Sequence, residues 1–376
     1  MNRNEFMNQL KLLLKDVHEI DRREILYDFS EHFDIGLENG KSEEELVREL
    51  GDPQVIAKDL LADYRATKEE DKPIGTKYKG MLANFRENFF NTVDIFEEKI
   101  VSGETYTNIH INSSSTDVIV IPTDIDEIKV TLSGEASKRY EEAISLSLKE
   151  TRDTLQIKLK QKPLLFNVGF SMIKVDLRVE IPQKLYDSFK VNVSSGDIQA
   201  KELQTKELNL STNSGDVEVE QFQAENAQLF TSSGNVSAKD GTVSSKFTIE
   251  SSSGDIISDN IINNSLTMEA TSGNLQLTNN VAKSSVLKAV SGNIKIMNDE
   301  IQGDINAKTM SGNITIDIEQ DNESLSLDFK TTSGDIVVKR EGYLYEEKSS
   351  SQVFGKIGSG EYTIKARALS GDVSLK

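Results

Sequence analysis

The clearest pattern along the chain is a short alternation of aliphatic and polar residues that restarts after every Ser-Gly-Asp or Ser-Gly-Asn. The glycines of this tripeptide are Gly196, Gly215, Gly234, Gly254, Gly273, Gly292, Gly312, Gly334 and Gly371, separated by 19, 19, 20, 19, 19, 20, 22 and 37 residues. Each follows a serine and precedes Asp197, Asp216, Asn235, Asp255, Asn274, Asn293, Asn313, Asp335 or Asp372. Two positions beyond each glycine the residue is aliphatic: Ile198, Val217, Val236, Ile256, Leu275, Ile294, Ile314, Ile336 and Val373. An apolar residue recurs two further on in most repeats, with a mostly polar one between. That period of two predicts a half-buried strand leaving each turn. Val191, Leu210, Leu229, Ile249, Met268 and Leu287, five places before the glycine, predict a strand entering it. Leu203, Phe222, Ile261, Val281 and Ile301 add a third apolar position. The last interval is close to two periods, with Ser359-Gly360 as a poorly matched turn inside it.

One coil of 19 or 20 residues cannot bury its own inward face. Stacking coils at the strand spacing of about 4.8 Å pairs each backbone group with the coil above and below, and nine coils span roughly 40 Å. The expected architecture is mainly β: a β-solenoid (β-helix) behind a small N-terminal α-helical domain. Leucine-rich repeats need a different consensus, and propeller blades need about 40 residues each. Solenoid ends are open sheet edges that invite pairing unless covered. Leu82, Phe85, Phe89, Val93 and Phe96 predict an amphipathic helix over 82–96 as one cover, while the far end stops on the strand SGDVSLK without one. A membrane-surface helix fits that segment less well, because its polar positions are mostly acidic.

Two chemistries suit the turn ladder formed by the nine glycines and nine Asp/Asn residues. Asp, Asn and Ser bond to turn amides while Gly supplies positive φ, and stacked Asx side chains form ladders along a corner. A carboxylate column could instead hold Ca²⁺, but calcium-binding repeat solenoids use a nine-residue G-G-x-G-x-D repeat, and here 4 of the 9 positions are Asn. The structural role is favoured. No repeat supplies a His, and no G-x-S-x-G elbow is present.

Residues 101–190 alternate like the repeats without the glycine turn, as in TYTNIHINSSSTDVIVIPTDIDEIKVTLSG, and read as divergent first coils before the regular coils of 191–376. Ile144, Leu146 and Leu148, then Leu155, Ile157 and Leu159, predict a hairpin. Residues 104–376 resemble the adhesin-type β-strand-repeat family, which includes Lia-type proteins of envelope-stress operons. The resemblance implies a β-solenoid associated with Gram-positive envelope stress or surface interaction, and carries over no functional residues.

Before the repeats lies a helical head, residues 1–65. Phe6, Leu10, Leu13 and Leu14 make one apolar face; Ile25, Phe29, Phe33 and Leu37 make another, ended by Asn39-Gly40. Ser42 and Glu45 match a capping box, and Gly51-Asp52-Pro53 closes one helix and opens the next, whose apolar face is Ile56, Leu60, Leu61 and Tyr64. Glu43, Glu44, Glu45 and Glu49 read as a solvated face. The run EILYDFSEHFDIGLENGKSEEELVRELGDPQVIAKDLL resembles the helical signalling domain found beside PadR-type winged-helix regulators, which implies a protein-interaction module. Residues 66–100, opening with ATKEEDKPIGTKYKG, are expected to form a linker plus the capping helix.

Composition then narrows the function. The chain has 376 residues with 43 Lys+Arg against 62 Asp+Glu, a net charge of −19. That balance argues against gripping nucleic-acid phosphates or docking electrostatically on anionic lipid. Without Cys there is no disulfide, thiol nucleophile or thiolate metal site, and His18, His32 and His110 are scattered. No targeting signal or apolar span of about 18 residues is present, so the expected location is cytoplasmic, membrane-peripheral at most through a partner. With no Trp and 6 % aromatic content, sugar platforms are scarce. The expectation is a non-enzymatic signalling or scaffold protein with no cofactor or metal, whose head binds an unidentified protein partner. The alternatives are a self-assembling solenoid stacking through its ends, or a carbohydrate- or surface-binding adhesin.

Overall fold

A computed structural model describes residues 1–38, 42–68, 92–141, 143–161, 173–298, 300–319 and 324–376. It has two compact units: residues 1–97, 132–145 and 160–175 in one, and 98–131, 146–159 and 176–376 in the other.

Among the described residues the first unit contains four helices: α1 (Arg3–Leu13), α2 (Glu19–Glu38), α3 (Glu43–Leu50) and α4 (Pro53–Lys68). Their apolar faces converge on Phe6, Leu10, Leu14, Ile25, Phe29, Phe33, Leu46, Leu50, Ile56 and Leu60. The Phe6 ring meets Phe33 edge-on at 5.6 Å, a favourable aromatic geometry. Ser42 accepts from the Glu45 amide at 3.2 Å while the Glu45 carboxylate accepts from the Ser42 amide at 2.8 Å, the reciprocal capping box. Asp52 accepts from the Gln54 amide at 2.8 Å, and Pro53 is the first helical residue. Gly51 takes φ 84° at the end of α3. Leu37 is 37 % exposed and leaves the core. Asn39-Gly40 and the side chains of Glu49 and Tyr64 lie outside the described residues.

The second unit is the β-solenoid. Coils run parallel and in register; between 185 and 318 each residue faces its counterpart 19 or 20 positions away, as Leu210 faces Val191 and Leu229. The aliphatic residue two beyond each repeat glycine is never more than 9 % exposed. These side chains lie over one another as columns inside the stack.

Spatial order departs from sequence order at both ends. Residues 108–123 form a coil that pairs with 185–201 on one side. On its other side it meets strands Thr154–Gln161 and Ile173–Pro182, which come later in the chain. From 185–201 the coils follow the chain as far as 304–318. The next coil in space is not 325–338 but the C-terminal segment 362–375, inserted between 304–318 and 325–338.

Three expectations change as a result. The 37-residue interval holds no extra coil: strands Leu344–Lys348 and Gln352–Ile357 form an antiparallel hairpin, and the second pairs antiparallel with Leu325–Ser333. The far end is therefore covered by that hairpin, and the terminal SGDVSLK strand is interior rather than a bare edge. The helix expected over 82–96 does not reach 92–96, because Thr92–Ser102 is a strand with Phe96 70 % exposed; 82–91 lie outside the described residues. Val93, Ile95 and Glu97 alternate with Thr92, Asp94 and Phe96, and this period of two competes with the helical spacing of the aromatics. Among the described residues no helix is long and apolar enough to cross a membrane.

Candidate functional site

The Ser-Gly-Asx turns stack into one corner of the solenoid. From Asp117 to Asp372, each Asx side chain bonds not to its own turn but to the next coil in space. Asp117 Oδ1 accepts from the Asp197 amide, Asp197 from Asp216 and Asp216 from Asn235. The chain of bonds continues through Asp255, Asn274, Asn293 and Asn313, every step 2.7–3.0 Å. Asn313 then accepts from Asp372, and Asp372 from Asp335, so the ladder follows the spatial order of coils. Because only a side-chain oxygen is needed, Asp and Asn serve equally. Among the described residues no group of three or more His, Cys, Asp or Glu gathers as metal ligands would.

Glycine is demanded here by proximity as well as by conformation. The nine glycines have φ between 136° and 158°. From Gly215 onward, a Cβ would lie 1.9–2.2 Å from the carbonyl oxygen of the neighbouring coil's glycine. That carbonyl is also capped from inside: Thr212, Thr231, Ser251 and Thr309 donate to Gly196, Gly215, Gly234 and Gly292 at 2.9–3.0 Å.

A second corner, not expected from the repeat pattern, lies six residues after the glycine in the left-handed conformation. Glu202, Gln221, Asp240, Asn260 and Asn279 have φ of 48–54°. The available signal was a uniformly polar position with Asn or Asp at three of five places. The next residue turns inward: Leu203, Phe222 and Ile261 are buried as expected, but Asn280 rather than Val281 takes this place in its coil. Asn280 is 4 % exposed and fully bonded: Ser258 Oγ donates to its Oδ1 at 2.8 Å and its Nδ2 donates to Ser258 O at 2.7 Å. At the same corner the Phe222 ring lies over Gly241, where a Cβ would sit 2.3 Å from Cε1.

Outward positions form polar columns. Lys201 pairs with Glu220 at 2.9 Å, and Lys239 reaches Glu218 at 3.3 Å across coils. In the outermost strands Lys129 bridges Glu98 and Glu180 at 3.3 and 3.5 Å. The Arg178 bond, then Lys129, hold the Glu180 carboxyl below its usual value against the opposing effect of burial. Tyr106 donates to Glu150, which pushes the phenol up to about 12. Burial raises Tyr186, whose hydroxyl donates to Pro182 O at 3.0 Å. His110 is lowered from 6.5 by burial and then by Lys190, its partner in the adjacent coil. These groups are dispersed over the stack rather than convergent.

The fold and its ladder define a β-solenoid carried with a four-helix head. The Toastrack DUF4097 family matches residues 106–376, and this chain belongs to that family. The HAAS family matches residues 5–59, the helical head. Similar solved structures include a candidate lipid-binding protein of Parabacteroides distasonis ATCC 8503, at 15 % identity and TM-score 0.45, covering 75 % of this chain and 96 % of that one. A candidate adhesin of Bacteroides fragilis NCTC 9343 aligns at 12 % identity and TM-score 0.38, covering 75 % and 97 %. A candidate cell adhesion protein of Clostridium sporogenes ATCC 15579 aligns at 12 % and 0.28, covering 76 % and 99 %. No curated protein matches.

Proposed function

We propose that this protein is a non-enzymatic signalling scaffold of the cell-envelope stress type, at home in the cytoplasm and membrane-peripheral through a partner. The helical head binds a regulator or membrane-associated protein, and the solenoid supplies a rigid recognition surface. The observation that carries the reading is the ladder: the most repeated side chains in the molecule bond coil to coil, which leaves outward columns of fixed spacing as the variable surface. The head supports it by exposing Leu12 (72 %) and Tyr27 (67 %) beside an intact core.

Crosslinking in cells followed by identification of captured proteins tests the proposal, comparing the unaltered chain with Leu12→Glu/Tyr27→Glu. Loss of a specific regulator or membrane protein from the variant supports it. An unchanged set of partners, or capture of cell-wall carbohydrate alone, rejects it in favour of an adhesin.

A further inference from the structure

One face of the solenoid carries a column that changes charge halfway along. Phe230, Glu250, Glu269, Lys288, Lys308 and Arg367 lie four residues before their repeat glycines and face one another in consecutive coils. Glu269 and Lys288 bond across the change at 2.7 Å. Among the described residues Glu250 and Lys308 form no ion pair.

The column two residues further on is divided in the same place, by size. Ser232, Ser252 and Thr271 are small; Val290, Met310 and Leu369 are large and 47 %, 47 % and 52 % exposed. A groove of about 330 Å³ spans the boundary, with Ser252, Ala270 and Thr271 on one side and Val290 and Met310 on the other.

We propose that this face binds a second copy of the chain, turned end for end about a two-fold axis that lies in the interface parallel to the strands. Such an axis, placed between the coils of Glu269 and Lys288, keeps each column over itself and reverses its direction. Glu269 then faces the partner's Lys288, Glu250 faces the partner's Lys308, and Phe230 faces the partner's Arg367. In the neighbouring column Val290 and Met310 fall on the partner's Thr271 and Ser252, so large side chains enter the groove over small ones. Charge and shape are both complementary under this one operation, as an isologous contact requires. A polyanion or an anionic bilayer would meet Glu250 and Glu269 on the same face, which argues for a partner carrying both signs. The inference does not depend on the signalling role or on the solenoid ends, which the axis leaves free.

Sedimentation velocity of the full chain over a concentration series tests it, at about 0.15 M salt where the screening length is about 8 Å and the net charge of each copy acts only locally. A monomer–dimer equilibrium is expected. Lys308→Glu and Glu250→Lys should each weaken it by about tenfold, since each places like charges opposite twice per dimer. An equimolar mixture of the two variants should recover association, because every facing pair is then opposite in sign, and the double reversal should recover it alone. Equal thermal unfolding of all variants by circular dichroism confirms that these surface changes leave the fold intact. A chain monomeric at every concentration overturns the proposal, as does a dimer indifferent to both single reversals.

Discussion

Replacing Gly254 with alanine puts a methyl group 1.9 Å from the carbonyl oxygen of Gly234 and 2.5 Å from its carbon. Both obstacles are backbone, so no rotamer change relieves the clash; the two coils must move apart. Separation strains the Asp255 amide bond to Asn235 Oδ1 (2.9 Å) and the Gly234 amide bond to Ser253 O (2.9 Å). Each lost bond costs about 0.5–1.5 kcal/mol, and a non-glycine residue at φ 145° adds about 1–3 kcal/mol of backbone strain. The expected destabilisation is about 2–6 kcal/mol, taken as the sum of these terms.

Gly51→Ala separates the two causes. Gly51 also has positive φ, 84°, but nothing lies within 4 Å of its Cβ position, so only the conformational part applies. Asn235→Ala removes the acceptor of the Asp255 amide, tests the ladder alone at the same gap and should cost about 1 kcal/mol. Because stacked coils can open locally, hydrogen exchange at the Gly234 and Val236 amides, which donate across that gap to Ser253 O and Asp255 O, is a better readout than a single melting temperature. Exchange at those amides in Gly254→Ala should accelerate far beyond that in Asn235→Ala. If Gly254→Ala behaves like Gly51→Ala, close coil approach is not why glycine stands in these turns.

Gly241→Ala drives a methyl into the Phe222 ring rather than into backbone, so a smaller loss of about 1–3 kcal/mol is expected in urea unfolding, and Phe222→Leu in the same chain should return most of it. His110 is lowered in the folded state, so the unfolded chain binds more protons below about pH 6.5; stability is complete above that pH and falls as the medium is acidified. His110→Gln should flatten that slope, and urea midpoints with an unaltered pH dependence would refute the assignment. Removing 362–376 leaves 304–318 and 325–338 each with an unpaired edge, so the truncated chain should associate and exchange amide protons there, and a peptide of 362–376 should reverse both. A truncated chain that stays monomeric with protected amides would contradict the inserted order of coils.

The interior of the solenoid was legible because its rule is local. A period of two and a turn tripeptide repeat often enough that Ile198 or Leu275 can be assigned inward without coordinates. The bonding partner of each ladder side chain was not legible, since a side chain that reaches the next turn looks in sequence like one that reaches its own. The first rung, Asp117, is not legible in the sequence because Ser115-Thr116-Asp117-Val118 carries Thr in place of the glycine that marks every later turn. Asn280 was passed over for Val281 because a buried amide is recognisable only once its partners are placed. The end coils were illegible for a different reason. Pairing of 304–318 with 362–375 rather than with 325–338 is a choice between equally patterned strands, made while the hairpin strand 352–357 takes the other edge of 325–330, and no single repeat records that outcome.

That reordering bears directly on the surface. Lys288, Lys308 and Lys330 recur at intervals of 20 and 22, which suggests three adjacent cations, yet Lys308 faces Arg367, and Lys330 lies between Arg367 and Gln352. The inserted coil thus lengthens a basic run within a chain whose net charge is −19. A solenoid converts residues far apart in sequence into lines with about 4.8 Å spacing, and it repeats one kind of group along each line. Catalysis asks for unlike groups converging on one point; columns supply like groups in file. Recognition by such a protein therefore depends on where a column changes character, and the junction between Glu269 and Lys288 is such a place.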